Sequence, residues 1–255
     1  MAILTWLQPD GLSLFASSVL ILGSAATSFL TAAAGIGGGV ALLAIMAPLM
    51  PVATLIPVHG VVQIGSNAGR VLIMLKSVRY TIFLPFLLGS FVGSALGGIF
   101  VMQLPPALLQ IALSLFILWS AWFKPPKTAA NNMMIALTGA VSSFLTMFFG
   151  ATGMFVSAML KTLRLDRLTH VATHASCMTA QHAVKVIAFG LLGFAYGPYL
   201  PLIGVMILSG FIGTILGKRC LDKISDDRFH LVLSWVLTLL AVRLLWSGLS
   251  SWLGA

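Results

Sequence analysis

The sequence predicts an all-α polytopic membrane protein of two inverted-topology repeats, each a glycine-tipped helical hairpin followed by three spanning helices. Three observations carry this reading. The 255 residues are 59% hydrophobic and 7% charged, with mean hydropathy +1.07. So few charges could not cover the surface of a soluble domain of this size. A motif recurs 115 residues on: Ser28-Phe29-Leu30-Thr31, three residues, Gly35, two residues, Gly38 returns as Ser143-Phe144-Leu145-Thr146, three residues, Gly150, two residues, Gly153. The same offset carries His59 onto His174 and Arg70 onto Lys185.

The elements follow in order. The first half, residues 1–125, has apolar segments at 11–34, 36–50, 53–76, 81–102 and 105–123; the second, 126–255, has them at 131–149, 151–163, 168–194, 198–217 and 228–250. All are helices, because lipid offers the backbone no hydrogen-bond partner but itself. The first segment of each half ends at the glycine motif. The second is too short to span: about 14 residues rise only about 21 Å. It reads as the returning arm of a hairpin that begins within the membrane. The third carries a polar stripe. The fourth repeats a small-residue face, Phe91-x-Gly93-x-x-Leu96-Gly97 against Phe211-x-Gly213-x-x-Leu216-Gly217, a spacing that serves helix packing.

Eleven of the 14 Lys and Arg lie in four short loops: Lys76 and Arg79; Lys124 and Lys127; Lys161, Arg164 and Arg167; Lys218, Arg219, Lys223 and Arg228. These loops read as cytoplasmic. Equivalent loops then fall on opposite sides of the membrane, which makes the halves inverted. Both termini are expected outside, in a multi-pass protein of a bacterial inner membrane. The charge pattern accounts for the net charge of +9 without nucleic acid as a partner. Cys177 and Cys220 are expected to remain unpaired, and the N-terminus does not read as a cleaved signal.

The acidic residues are Asp10, Asp166, Asp222, Asp226 and Asp227, all in predicted loops or termini, and Glu is absent. Without an intramembrane carboxylate, cation transport is disfavoured. Arg70 and Lys185 are instead the equivalent intramembrane cations; each would cost about 2.5–3.5 kcal/mol at a helix centre. A bound anion would offset that cost; snorkelling to an interface is the alternative. His59, Gln63, Ser66 and Arg70 share one stripe, and His174, Met178, Gln181 and Lys185 its counterpart. The histidines are candidates for proton coupling, or simply hydrogen-bonded interior residues. Gly35, Gly38, Gly150 and Gly153 let the backbone turn and approach a ligand at helix N-termini, or serve close packing. Thr31 and Thr146 would either contact the anion or back-bond to their own helices. The expected substrate site is thus Thr31, Gly35, Gly38, Gln63, Arg70, Thr146, Gly150, Gly153, Gln181 and Lys185, with His59 and His174 as proton-coupling residues.

With Gly35-Ile36-Gly37-Gly38-Gly39, Pro48 downstream and the twofold repeat in place, the chain resembles the TauE/SafE sulfite exporters across nearly its whole length. The second repeat departs from the pattern, with Met154 where the first has Gly39. The resemblance implies export of sulfite or an organosulfur anion such as sulfoacetate, driven by the proton gradient; the residues themselves point to a secondary anion transporter with alternating access around a midplane site. An anion channel, or a transporter of another small anion, is the competing reading. An intramembrane enzyme using Ser142 or Ser143 with His174 lacks a carboxylate to orient the histidine. No metal set or cofactor is expected. The expected partners are a small anion and the lipid bilayer, with a homodimer as one possible assembly.

Overall fold

The computed structural model describes residues 7–9, 12–34, 37–123, 131–219 and 226–254. Among the described residues, ten α-helices occupy the ten apolar segments. They are α1 Leu14–Ala34, α2 Gly38–Met46, α3 Val52–Ile73, α4 Tyr80–Val101, α5 Pro106–Trp122, α6 Asn132–Phe149, α7 Gly153–Thr162, α8 Arg167–Leu191, α9 Leu200–Arg219 and α10 Asp226–Leu253. Single 3-10 turns follow α3 at Leu75–Ser77 and precede α9 at Gly197–Tyr199. No strand occurs among the described residues.

Local chemistry sets the helix ends. Asn131 caps α6 by accepting from the Met134 amide at 2.8 Å, and Asp166 caps α8 by accepting from the Thr169 amide at 3.0 Å. Pro106 opens α5, where its missing N–H costs nothing. The segment expected over 36–50 is helical only over 38–46, because Gly37 at φ 101° holds a left-handed turn before it and the prolines at 48 and 51 follow its end. With 9 and 10 residues, α2 and α7 each rise only about 14–15 Å. Among the described residues, five stretches are long and apolar enough to cross a membrane: Leu14–Ala32, Tyr80–Val101, Asn132–Phe149, Gly197–Gly217 and Ser234–Leu253.

Hydrogen bonds from Thr169, its side chain first and its amide second, hold the Asp166 carboxyl below its ordinary value. A depressed carboxylate stabilises the folded state above the unfolded value of about 3.9, and the contribution disappears as pH falls through the folded value. Melting temperature is therefore expected to fall below pH 4 more steeply in the parent than in Asp166→Asn, which keeps a cap but cannot titrate. Parallel acid limbs would exclude the assignment.

The chain forms two compact units, and each draws helices from both sequence halves. The first comprises the described parts of 1–59, 104–123 and 195–255; the second, those of 60–103 and 124–194. In the second unit α4 lies against α6 along the small-residue face. A Cβ at Gly93 would strike the Ala140 carbonyl oxygen, one at Gly89 that of Ala136, and one at Gly139 that of Phe86. In the first unit α9 meets α1 in the same way, Gly213 on the Ala25 carbonyl and Gly217 on that of Phe29. Ala25 and Ala140 are themselves 115 residues apart, so the repeat extends to packing. Hydroxyls reinforce the α1–α9 contact: Ser24 donates to Met206 O at 2.7 Å and Ser209 to Ile21 O at 2.8 Å.

The remaining helices close around these pairs. In the first unit α5 packs on α10, where Trp122 and Trp235 meet edge to face with centroids 5.3 Å apart and the Trp122 indole donates to Thr238 Oγ1 at 2.9 Å. In the second unit Ile82, Phe86, Ile135, Val156, Met159, Leu160, Cys177 and Met178 form one apolar core. Cys177 is a buried free thiol; Cys220 lies outside the described residues.

Candidate functional site

The second unit centres on a helix break. α6 ends at Gly150, whose φ of 74° only glycine adopts cheaply, and α7 begins three residues later at Gly153. Such a break leaves carbonyls at the end of one helix and amides at the start of the next without intrahelical partners. One stripe of α8 meets it at three levels. Lys185 Nζ donates to Gly150 O at 3.0 Å. Gln181 Nε2 donates to Ser142 O at 3.1 Å and to Thr152 Oγ1 at 2.6 Å. His174 Nε2 bonds Gly153 O at 3.1 Å, and since a carbonyl only accepts, Nε2 carries the ring proton. Thr152 Oγ1 donates in turn to Ser142 O at 2.9 Å. Each neutral bond contributes about 0.5–1.5 kcal/mol net, and one to a charged group about 1.5–3.

Lys185 is fully buried. Its ammonium faces the negative end of α6, a favourable position for a cation, yet among the described residues it uses one of its three N–H donors. No acidic side chain pairs with it among the described residues. The two helices that meet there carry further uncommitted polar atoms: the hydroxyls of Ser143 and Thr146 on α6 and Oε1 of Gln181 on α8 are buried without a hydrogen-bond partner among the described residues. The orientation of the Gln181 amide is fixed, because its nitrogen side faces the Ser142 carbonyl. Gly60 of α3 gives Lys185 its room: a Cβ there would stand 2.8 Å from Lys185 Cε.

Elsewhere on α3, Gln63 and Asn67 are buried, and Asn67 Nδ2 donates to Gln63 O at 2.8 Å. Arg70 is half-buried. Its guanidinium bonds within its own helix, Nε to Ser66 O at 3.2 Å and one terminal nitrogen to Asn67 Oδ1 at 3.1 Å, and it lies within Coulombic range of His174.

The first unit holds the equivalent elements. His59 Nε2 donates to Gly39 O at 2.9 Å, as His174 does to Gly153 O. Thr31 back-bonds to Thr27 O at 2.9 Å, the second of its two expected roles. Gly38 is a close-packing position, since a Cβ there would strike Thr31 Oγ1 and the Thr27 carbonyl. Gly153 differs, with only ordinary contacts to Met178 and His174. Gly35 lies outside the described residues.

Thr152 escaped the sequence reading. It lies inside the second glycine motif, where the glycines drew attention away from its hydroxyl. Ser142, weighed there as a nucleophile, enters through its backbone carbonyl.

Irregular backbone between two apolar helices is tolerated in a bilayer only where protein buries it or it lines a cavity. A break of this kind, beside a buried cation in a chain with five potential spans, defines a multi-pass membrane transport protein. The sequence matches the family described as Sulfite exporter TauE/SafE over residues 19–244, and the chain belongs to that family of anion-exporting transporters. No curated protein and no solved structure matches it.

Proposed function

We propose that this protein is a secondary active transporter that exports a sulfur oxyanion, sulfite or an organosulfonate such as sulfoacetate, across the bacterial inner membrane. The observation that carries this is the fully buried Lys185, with one hydrogen bond and no acid beside it among the described residues. An ammonium held so is costly until an anion arrives. Its two remaining N–H groups and the Ser143 and Thr146 hydroxyls supply donors for such a ligand. Gln181 Oε1 is an acceptor in the same neighbourhood and would favour a protonated oxyanion. Gly150 and Gly153 shape the break, while Gln63 and Arg70 extend the polar surface along α3. In the first unit Thr31, Gly35 and Gly38 would line the counterpart hairpin, with the Thr31 proton committed to its own helix. His59 and His174 are the proposed proton-coupling groups. Each donates to the first turn of a short helix, so protonation would act on that helix directly. Inverted halves, both termini outside and alternating access complete the proposal.

A pin for the α6–α7 break is the second reading of Lys185, favoured by its bond to Gly150 O. One series separates them: thermal stabilisation of detergent-solubilised protein by sulfite, thiosulfate, sulfate, sulfoacetate, taurine and chloride at two pH values. Selective, pH-dependent stabilisation by sulfite or a sulfonate is expected, with the pH dependence lost in His174→Ala. A melting curve indifferent to every anion would leave the lysine as a pin.

A further inference from the structure

Beyond the loop cations and the Arg70 and Lys185 pair, one basic residue remains, Arg243. It is the tenth of the twenty residues in the apolar stretch Ser234–Leu253 of α10, about 15 Å along the helix from either end. That is farther than an arginine side chain reaches, so snorkelling does not account for it. A charge at such a place needs a polar cavity, an acid or a ligand.

The first unit contains the cavity. A cleft of about 320 Å³ lies beside the turn between α2 and α3, and Gln110 of α5 with Arg243 and Ser247 of α10 are its polar lining. Pro48 and Pro51 belong to the turn and Leu244 to the apolar wall. Arg243 and Ser247 are exposed and Gln110 half-buried, so their polar groups are accessible. None of the three side chains has a hydrogen bond or ion pair among the described residues. Together they offer a guanidinium fork, an amide and a hydroxyl. That set matches a ligand with several acceptor oxygens and negative charge, and the fork can hold two of those oxygens at once. The volume admits a small oxyanion with some of its water, at about 30 Å³ per water.

We infer that the Arg243 cleft is a second oxyanion site, separate from the Lys185 site, where an anion is held before or after passage. That role in passage rests on the proposed anion transport; the binding chemistry does not. An aqueous sulfur oxyanion and a phospholipid headgroup share this chemistry.

The test uses full-length protein in detergent. Stabilisation is titrated with sulfite and with sulfate in the parent, Arg243→Gln, Gln110→Leu and Lys185→Met, and co-purified phospholipid is measured by native mass spectrometry. Two saturating phases are expected in the parent. Arg243→Gln should move one of them about tenfold to higher concentration. Gln110→Leu, on a different helix, should weaken the same phase, and Lys185→Met should spare it. Unchanged phases in both Arg243→Gln and Gln110→Leu, with phospholipid retained as in the parent, overturn the site. Unchanged anion phases with bound phospholipid lost in Arg243→Gln keep the oxyanion site and assign it to a headgroup. A single phase lost only in Lys185→Met, with phospholipid unchanged, overturns this inference and leaves the proposed transport site standing. A single phase lost only in Arg243→Gln does the reverse.

Discussion

Lys185→Met is expected to lower anion flux in proteoliposomes at least 100-fold while leaving the unliganded protein as stable as the parent or more so. The two effects have one cause. Burying an ammonium without an acid costs several kcal/mol, and the single bond to Gly150 O returns about 1.5–3. Methionine fills similar space without that cost, so melting without ligand should rise or hold. Flux should collapse because the site loses its fully buried positive charge; removing one member of a buried charge pair costs about 2–5 kcal/mol of binding. A lysine kept only as a pin behaves in the opposite way, with lower melting temperature and flux following the folded fraction. Gly60→Val offers an independent approach, since its side chain would push on Lys185 Cε without changing any charge. Parent-like flux in both variants would remove Lys185 from transport.

The largest loss of stability is expected at the glycine faces. Gly93→Leu and Gly213→Leu each place a side chain where the Ala140 or Ala25 carbonyl oxygen now sits. The helices must then separate, which breaks contacts along their whole length. Overpacking alone costs about 1–3 kcal/mol, and the lost close approach adds to it because small residues are what allow these backbones to associate in lipid. Gly204 on α9 is the internal control, with nothing within 4 Å of its Cβ position. Gly204→Leu should run as monodisperse as the parent in detergent, and Gly213→Leu should aggregate or melt many degrees lower. Equal melting of the two would show that α9 does not pack on α1 as described.

The helices were legible because glycine and proline punctuate long apolar runs. The His174, Gln181 and Lys185 stripe was legible because spacings of seven and four place residues on one helix face. What these side chains bond was not, since the partners are largely backbone carbonyls at Gly150, Gly153 and Ser142, which any residue supplies. The Gly93 and Gly213 motifs announced a packing face without naming its partner. Thr31 shows the same limit: its spacing fits a ligand contact and a back-bond equally, and the bond to Thr27 O is not legible from it.

The packing of each half's glycine face on the first helix of the other half has a consequence for how the chain is made. When α1 leaves the ribosome and enters the bilayer, the surface around Ala25 and Phe29 has nothing to dock against, because α9 belongs to the second half and is synthesised late. The glycine face of α4, by contrast, needs α6, which follows soon after. The second unit can therefore close while translation continues, whereas the first must wait until α9 and α10 have been inserted. Two separately expressed halves should recover function only when made together, since each supplies the surface that the other lacks.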